Sequence, residues 1–415
     1  MTTSTEVPER TDAPSPEPRR TRREVSRRGL TPWLAGIGAV VVMLSLPLLN
    51  LSLPGLLPGP TYTPGSLHLL ALSMLFAALA LSYHLLYGVA GMLSFGHALY
   101  FAAGAYGLAV LLQRTELGLL TAGALVLGGA TVLATVVGAI SLRVGGVSFA
   151  MVTLAFAQAG NVLARRNAWG LTGGEEGVGL RTTNVPDALV GVVNTRTIYW
   201  VALAVLVAVY VVVTWVQRSR AGHVVEATRE NEMRVRVIGQ QPYLIRLLTF
   251  VIAGALAALI GMAYLVLQSQ AVPQISSADF TITVLVMVVL GGVGSRWGAI
   301  VGAVVYTLLD QRLGVFASSA FVDSLPAVLR VPLSEPLFIL GVLFILVVLF
   351  MPGGIAGAVD RLRRGATPRG TGRRGTWSRG TGRAATRGGK DRRAAGSHSE
   401  SAAESAERRR LEELT

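Results

Sequence analysis

Six arginines and three glutamates crowd residues 217–246 of a chain that elsewhere avoids charge. Glu230 with Arg234 and Glu232 with Arg236 are acid-before-base pairs at i,i+4, the order that supports a helix. Ala221, Val225, Met233 and Val237 recur every four or eight residues along one stripe, and Gly239 followed by Pro242 gives a stop signal. The spacing predicts one short amphipathic helix from about Gly222 to Ile238. Its chemistry is ion pairing and docking, either into a groove on a soluble partner or along a membrane surface.

Other reactive residues are sparse. The cysteine count is 0, which excludes disulfides, Cys-ligated zinc and thiol nucleophiles. His68, His84, His97, His223 and His398 show no HExxH or similar ligand spacing, so no metal is expected. No paired carboxylates or Ser/His pair stand at useful spacing, and no GxxxxGK[ST] loop is present, so the chain is expected to be neither an enzyme nor an ATPase.

Three glycine-rich groups stand out. Ser94, Gly96 and His97 sit where a turn meets an apolar run; they could present hydrogen bonds to a pathway, but packing and capping is the favoured reading. Thr172, Gly173 and Gly174, with Glu175, Glu176 and Gly177, could receive a partner through the two acids or form a turn whose glycines supply positive φ. Gly291, Gly292 and Gly294 suit a bend between two membrane pieces, and Gly298 and Gly302 form a GxxxG pair suited to close helix packing.

The elements that must carry these groups are apolar. The chain has 415 residues, 52% hydrophobic and 14% charged, with a mean hydropathy of +0.55. Soluble domains carry about 25% charged residues, so this surface cannot face water throughout. Apolar runs at 30–49, 67–87, 95–113, 117–140, 144–164, 198–216, 247–270, 280–294, 297–313 and 335–351 are candidate spans. The segment 280–294 is too short to cross comfortably, so the expectation is an all-α polytopic bundle of eight to ten spans.

The net charge of +14 belongs mainly to the tails, which argues against a nucleic-acid-reading face. Residues 1–29 read as a disordered basic arm, 30–356 as the membrane domain, and 357–415 as a disordered Arg/Gly-rich tail with 15 Arg or Lys against 7 acids. The tail suits solvated topogenic charge or attraction to anionic lipid headgroups. Arginines precede the first span (Arg19, Arg20, Arg22, Arg23, Arg27, Arg28) and follow the last (Arg361, Arg363, Arg364), which places both termini in the cytoplasm. With ten spans the 217–246 loop is cytoplasmic and the 165–197 loop lies outside.

The segment Ser219-Arg220-Ala221-Gly222-His223-Val224-Val225-Glu226-Ala227-Thr228-Arg229-Glu230-Asn231-Glu232, followed by Gly239, resembles the cytoplasmic signature of the permease subunits of branched-chain amino acid ABC importers, the high-affinity leucine/isoleucine/valine uptake family. That pattern is roughly S-x-x-G-R-x-x-x-A-I-R-E-N-E; here His223 replaces the arginine and Thr228 the isoleucine. Gly91 to Ala98 is similar to the family's G-x-x-S-x-G-H-A motif, Leu171 to Gly177 to its L-T-G-G-x-x-G loop, and Met287 to Ser295 to its M-V-V-L-G-G-x-G segment. Phe350-Met351-Pro352-Gly353-Gly354 resembles its final span boundary, and the likeness runs from about 67 to 357.

The resemblance implies a cell-membrane permease without its own cofactor, driven by two ATPase subunits that bind the ATP. It also implies a second related permease, an extracytoplasmic solute-binding protein and surrounding lipid as partners. Gly222, Glu226, Ala227, Arg229, Glu230, Glu232 and Gly239 would then couple to the ATPases. Urea or a short amide is the alternative cargo. An ion-coupled secondary transporter is the more distant alternative, disfavoured because spans 67–87, 117–140 and 198–216 hold no charged residue.

Overall fold

The computed structural model describes residues 31–51, 57–167, 169–318, 330, 333–351 and 353–365. The arm at 1–29 and the tail from 366 onward lie outside the described residues. The described chain is helical: α1 Thr31–Ser45, α2 Pro64–His84, α3 His97–Arg114, α4 Leu119–Ser141, α5 Val147–Arg166, α6 Thr195–Arg218, α7 Arg220–Glu230, α8 Glu232–Val237, α9 Pro242–Gln268, α10 Ala278–Gly291, α11 Arg296–Ala317, α12 Pro336–Phe350 and α13 Gly354–Gly365. The expected start of a separate tail at 357 falls inside α13.

Seven of the described helices are long and apolar enough to cross a membrane: α2, α4, α5, α6, α9, α11 and α12, the last running on to Ala358. The chain is a multi-pass all-α membrane protein. The other three expected segments are helical too, but depart from a standard span for separate reasons. Helix α1 has 15 residues and α10 has 14, too short to cross alone. Helix α3 begins with His97, ends with Gln113-Arg114 and carries two buried tyrosines, Tyr100 and Tyr106, so it is more polar yet sits inside the bundle.

Helix α2 is the centre. It starts with Pro64 at its first position, where a missing N–H costs nothing, and 89% of its most apolar window is buried. It packs against α6, α9, α10 and α11. Its small residues Ala71, Ser73, Ala77, Ala78 and Ala80 let four neighbours approach. Between α3 and α9 the backbones touch: a Cβ at Gly104 would lie 2.0 Å from the Ala258 carbonyl, and one at Gly261 2.0 Å from that of Phe101. Helices α4, α5 and α11 are only 28–33% buried, and α4 turns Leu125, Val132 and Val136 outward. Such faces belong in hydrocarbon or against another apolar subunit.

Contacts sort the connections into two ends. Arg229 meets Gly88, Tyr243 meets Ala139, Arg296 meets Thr214, and Gly292 meets Gly354 at one end. At the other, Gln113 meets Gly179, Arg114 meets Gly170, and a two-residue strand β1 (Val178–Gly179) pairs antiparallel with β2 (Gln270–Ala271), Val178 opposite Ala271.

Candidate functional site

The charged loop is built as two helices rather than the single one its periodicity predicts. Ser219 opens α7, its Oγ accepting from the Gly222 N–H at 3.1 Å. Gly222 is required there, because a Cβ would stand 2.2 Å from the Val216 carbonyl. Helix α7 stops at Asn231, which is extended (φ −158°, ψ 102°) and whose Oδ1 accepts from the Arg234 N–H at 3.1 Å, capping α8. The break separates Glu230 from Arg234, so that expected pair is not formed among the described residues. Glu232 does bond Arg236, at 2.5 Å, and also reaches Arg246 of α9 at 2.8 Å. Partial burial pushes the Glu232 carboxyl up, but hydrogen bonds and charge from Arg236 and Arg246 outweigh it and hold the group below its ordinary value. After α8, Gly239 takes φ +80° while its N–H bonds the Arg236 carbonyl and that of Gln240 bonds Val235, a helix-stopping turn.

The expected apolar stripe is corrected in the same way. Val225 is 1% exposed, but Ala221 is exposed and Met233 and Val237 are 67% and 80% exposed. The inward residues are Gly222, Val225, Thr228 and Val235. Thr228 is accommodated because its hydroxyl donates back to the Val224 carbonyl. Outward lie Glu226, Ala227, Glu230, Met233, Val237 and Ile238, an apolar tip beside two carboxylates. Sequence reasoning missed Val235, Asn231 and Arg246; the Asn-Glu step was the available signal for a second helix start.

The turn before α3 is held by side chains from distant helices. Ser94 Oγ accepts from the Gly96 N–H at 3.2 Å, and the Tyr83 hydroxyl donates to the Ser94 carbonyl at 3.1 Å. Thr153 of α5 accepts from the Phe95 N–H and Thr281 of α10 from the Ala98 N–H, both at 3.1 Å. His97 is buried with Nε2 2.8 Å from Ser82 Oγ. The Ser82 hydroxyl oxygen also lies 2.8 Å from the Leu79 carbonyl, so one serine bridges its own helix and His97. Ser94, Gly96 and His97 thus lie in one buried turn braced by α2, α5 and α10.

Gly291, Gly292 and Gly294 do mark a bend, between α10 and α11. A Cβ at Gly291 would meet the Gly298 carbonyl at 1.8 Å, and one at Gly302 the Met287 carbonyl at 2.2 Å, so the two helices touch through backbone. Gly292, with φ +112°, abuts Gly353 and Gly354, whereas Gly294 stands in open space. At the opposite end, Thr172 Oγ1 donates to the Ala164 carbonyl at 2.8 Å and closes α5. Gly173, Gly174 and Gly177 all have positive φ, and Glu175 is spent on Arg165 at 3.2 Å. The turn reading fits Gly173 and Gly174; Glu176 is exposed, its backbone carbonyl held by Gln270.

The fold therefore gathers Gly222, Glu226 to Glu232, Gly239 and Gly291 to Gly294 at one end and leaves Thr172 to Gly174 at the other. Two of the expected coupling charges are tied to the bundle: Glu232 bonds Arg246 of α9, and Arg229, still exposed along part of its length, donates through its guanidinium to the Gly88 carbonyl.

A family model described as the branched-chain amino acid transport system permease component matches residues 66–348. The chain is similar to the high-affinity branched-chain amino acid transport system permease protein LivM of Escherichia coli, with 27% identity over 278 residues, 61% of this chain and 64% of that protein. The LivM protein of Salmonella typhimurium is 28% identical over 280 residues, again 61% and 64%. LivH of Escherichia coli is 24% identical over 301 residues, 68% of this chain and 91% of that protein. The matched stretch spans just under two thirds of the length of the LivM relatives.

Proposed function

From the premise that this chain belongs to the family of branched-chain amino acid transport permease components, we propose that it is the membrane-spanning subunit of an ABC importer for branched-chain amino acids. The observation that carries the proposal is the family match over 66–348, which contains the charged loop and all three glycine-rich groups. The geometry supports a division of labour. Helices α7 and α8 are the docking element for two separate ATPase subunits, offering Met233, Val237 and Ile238 as an apolar tip flanked by Glu226 and Glu230. The Glu232–Arg246 bond ties that element to α9, so a push on α8 reaches a 27-residue span.

A related permease chain would cover the apolar faces of the outer helices. A solute-binding protein would dock on the opposite end, near Thr172–Gly174. The end holding Arg143, Arg218, Arg220, Arg229, Arg234, Arg236, Arg246 and Arg296 is the cytoplasmic one, because retained positive charge marks the cytoplasmic side.

The test is radiolabelled leucine uptake in cells lacking this chain, with urea uptake in parallel and ATP depletion as control. Loss of ATP-dependent leucine uptake is expected, restored by the wild-type chain and not by Glu230→Lys, which inserts normally but fails to couple. Selective loss of urea uptake would overturn the substrate, and leucine uptake that survives ATP depletion would overturn the mechanism.

A further inference from the structure

Helix α2 ends in a π-turn, Leu85–Val89, inside the most buried span. The last carbonyls of a helix have no donor within it, and a π-turn displaces them further. Here the Leu85 and Leu86 carbonyls accept from Ala90 N–H (3.3 Å) and Met92 N–H (3.0 Å). The Gly88 carbonyl is taken instead by Arg229, 141 residues away in sequence, near the end of α7. A cation placed there also faces the negative end of the α2 dipole.

Two glycines make this approach possible. A Cβ at Gly91, where φ is +68°, would lie 2.8 Å from Arg229 Cγ, so the arginine stem occupies the space of a missing side chain. A Cβ at Gly88 would lie 2.2 Å from His84 Nδ1 and 2.7 Å from the Val293 carbonyl, so the α10–α11 bend rests on the same residue. Gly292 of that bend in turn abuts Gly354, where a Cβ would lie 2.5 Å from the Gly292 nitrogen. Gly88 is the point at which the charged loop, the central span and the α10–α11 bend all meet.

The loop's covalent links are less direct. It joins α6 at the single residue Ser219 and α9 through Ile238–Gln241, which contains the left-handed Gly239. Movement of α7–α8 would be transmitted through the chain only to α6 and α9, and α2 and α10 are remote in sequence. We propose that Arg229 is a positioning residue that latches the α7–α8 loop to the π-turn of α2, so that loop, turn and α10–α11 bend move as one body. This rests on the reading of that loop as the ATPase-docking element, and it removes Arg229 from the docking surface itself.

The wild-type sequence contains no cysteine, with a count of 0, so introduced pairs are unique labelling sites. Spin labels at His223→Cys, which is exposed on α7 and outside the docking tip, and Gly294→Cys, which has open space around its Cβ position, report the separation of loop and bend. In the assembled, reconstituted transporter the distance is expected to be the same with and without ATP. In an Arg229→Ala background it is expected to shift and broaden with nucleotide, while leucine uptake falls about tenfold or more, as for loss of a charge-assisted hydrogen bond. Arg229→Lys, which retains a cationic donor, is expected to recover both; Arg229→Gln replaces the alanine variant if that chain fails to insert. A label distance that already changes with ATP in the presence of Arg229, or normal uptake by Arg229→Ala, overturns the latch. If Glu230→Lys abolishes uptake while Arg229→Ala does not, the latch alone fails; if both transport normally, the docking reading fails with it.

Discussion

Glu232 shows how one side chain can join two elements. Its carboxylate meets Arg236 on its own helix and Arg246 on α9, and those partners hold its pKa below the ordinary 4.5. A carboxyl with a depressed folded pKa contributes stability that is fully present above its unfolded value and is lost as pH falls through the folded one. Amide protection factors across 232–246, with the intrinsic exchange rate divided out at each pH, are therefore expected to be flat from neutral pH down to about 4.5 and to fall below it. Glu232→Gln should remove that pH step and leave exchange faster at neutral pH. An unchanged acid step in the Gln variant would assign it to another group. The His223 and Thr228 departures from the family pattern have different weights at this scale. His223 is exposed, whereas Thr228 is buried and bonds its own backbone.

Among elements, contact between helix backbones carries the bundle. Apolar side chains gain little by leaving lipid for each other, so association relies on close packing at small residues. The α3–α9 crossing makes the point testable, because Gly104 and Gly261 each leave room for a carbonyl where a Cβ would come within 2.0 Å. Gly104→Ala is expected to destabilise the chain by about 1–3 kcal/mol through forced separation of the helices. Gly128→Ala, on the open face of α4 with nothing within 4 Å, is expected to be neutral or stabilising by up to about 1 kcal/mol from helix propensity. Thermal unfolding in detergent would compare them. Equal effects would mean that the α3–α9 crossing is looser than described.

For the whole molecule, the two ends differ in charge. The loop end holds eight of the arginines between Arg114 and Arg296, while the other holds Arg114, Arg165, Arg166, Arg181 and Arg196 among Glu116, Glu175, Glu176, Asp187 and Asp279. If the first end is cytoplasmic, Glu176→Cys should react with an impermeant maleimide from outside intact cells, and Gly294→Cys only after permeabilisation. The reverse pattern would invert the transporter and place the charged loop on the wrong side for ATPases.

Residue order alone was enough for the membrane character, the placement of the apolar segments, the short 280–294 piece and the family signature. These are local properties, since twenty apolar residues demand hydrocarbon wherever they lie, and a motif is read without knowing its neighbours. The i,i+4 pattern was a weaker guide: it predicts one helix over 222–238, but the Asn231 cap competes for the same backbone and divides it. Which way the loop's residues face was decided by contacts far apart in the chain. Arg229 looks like one more surface charge until α2 presents an unsatisfied carbonyl, and Met233 looks like core until Val235 fills the inward position. Gly291 and Gly302 likewise look like a flexible hinge and a packing motif, and only the folded α10–α11 hairpin shows that both serve one backbone contact. Side-chain direction depends on what lies opposite, and that is settled only when the helices are assembled.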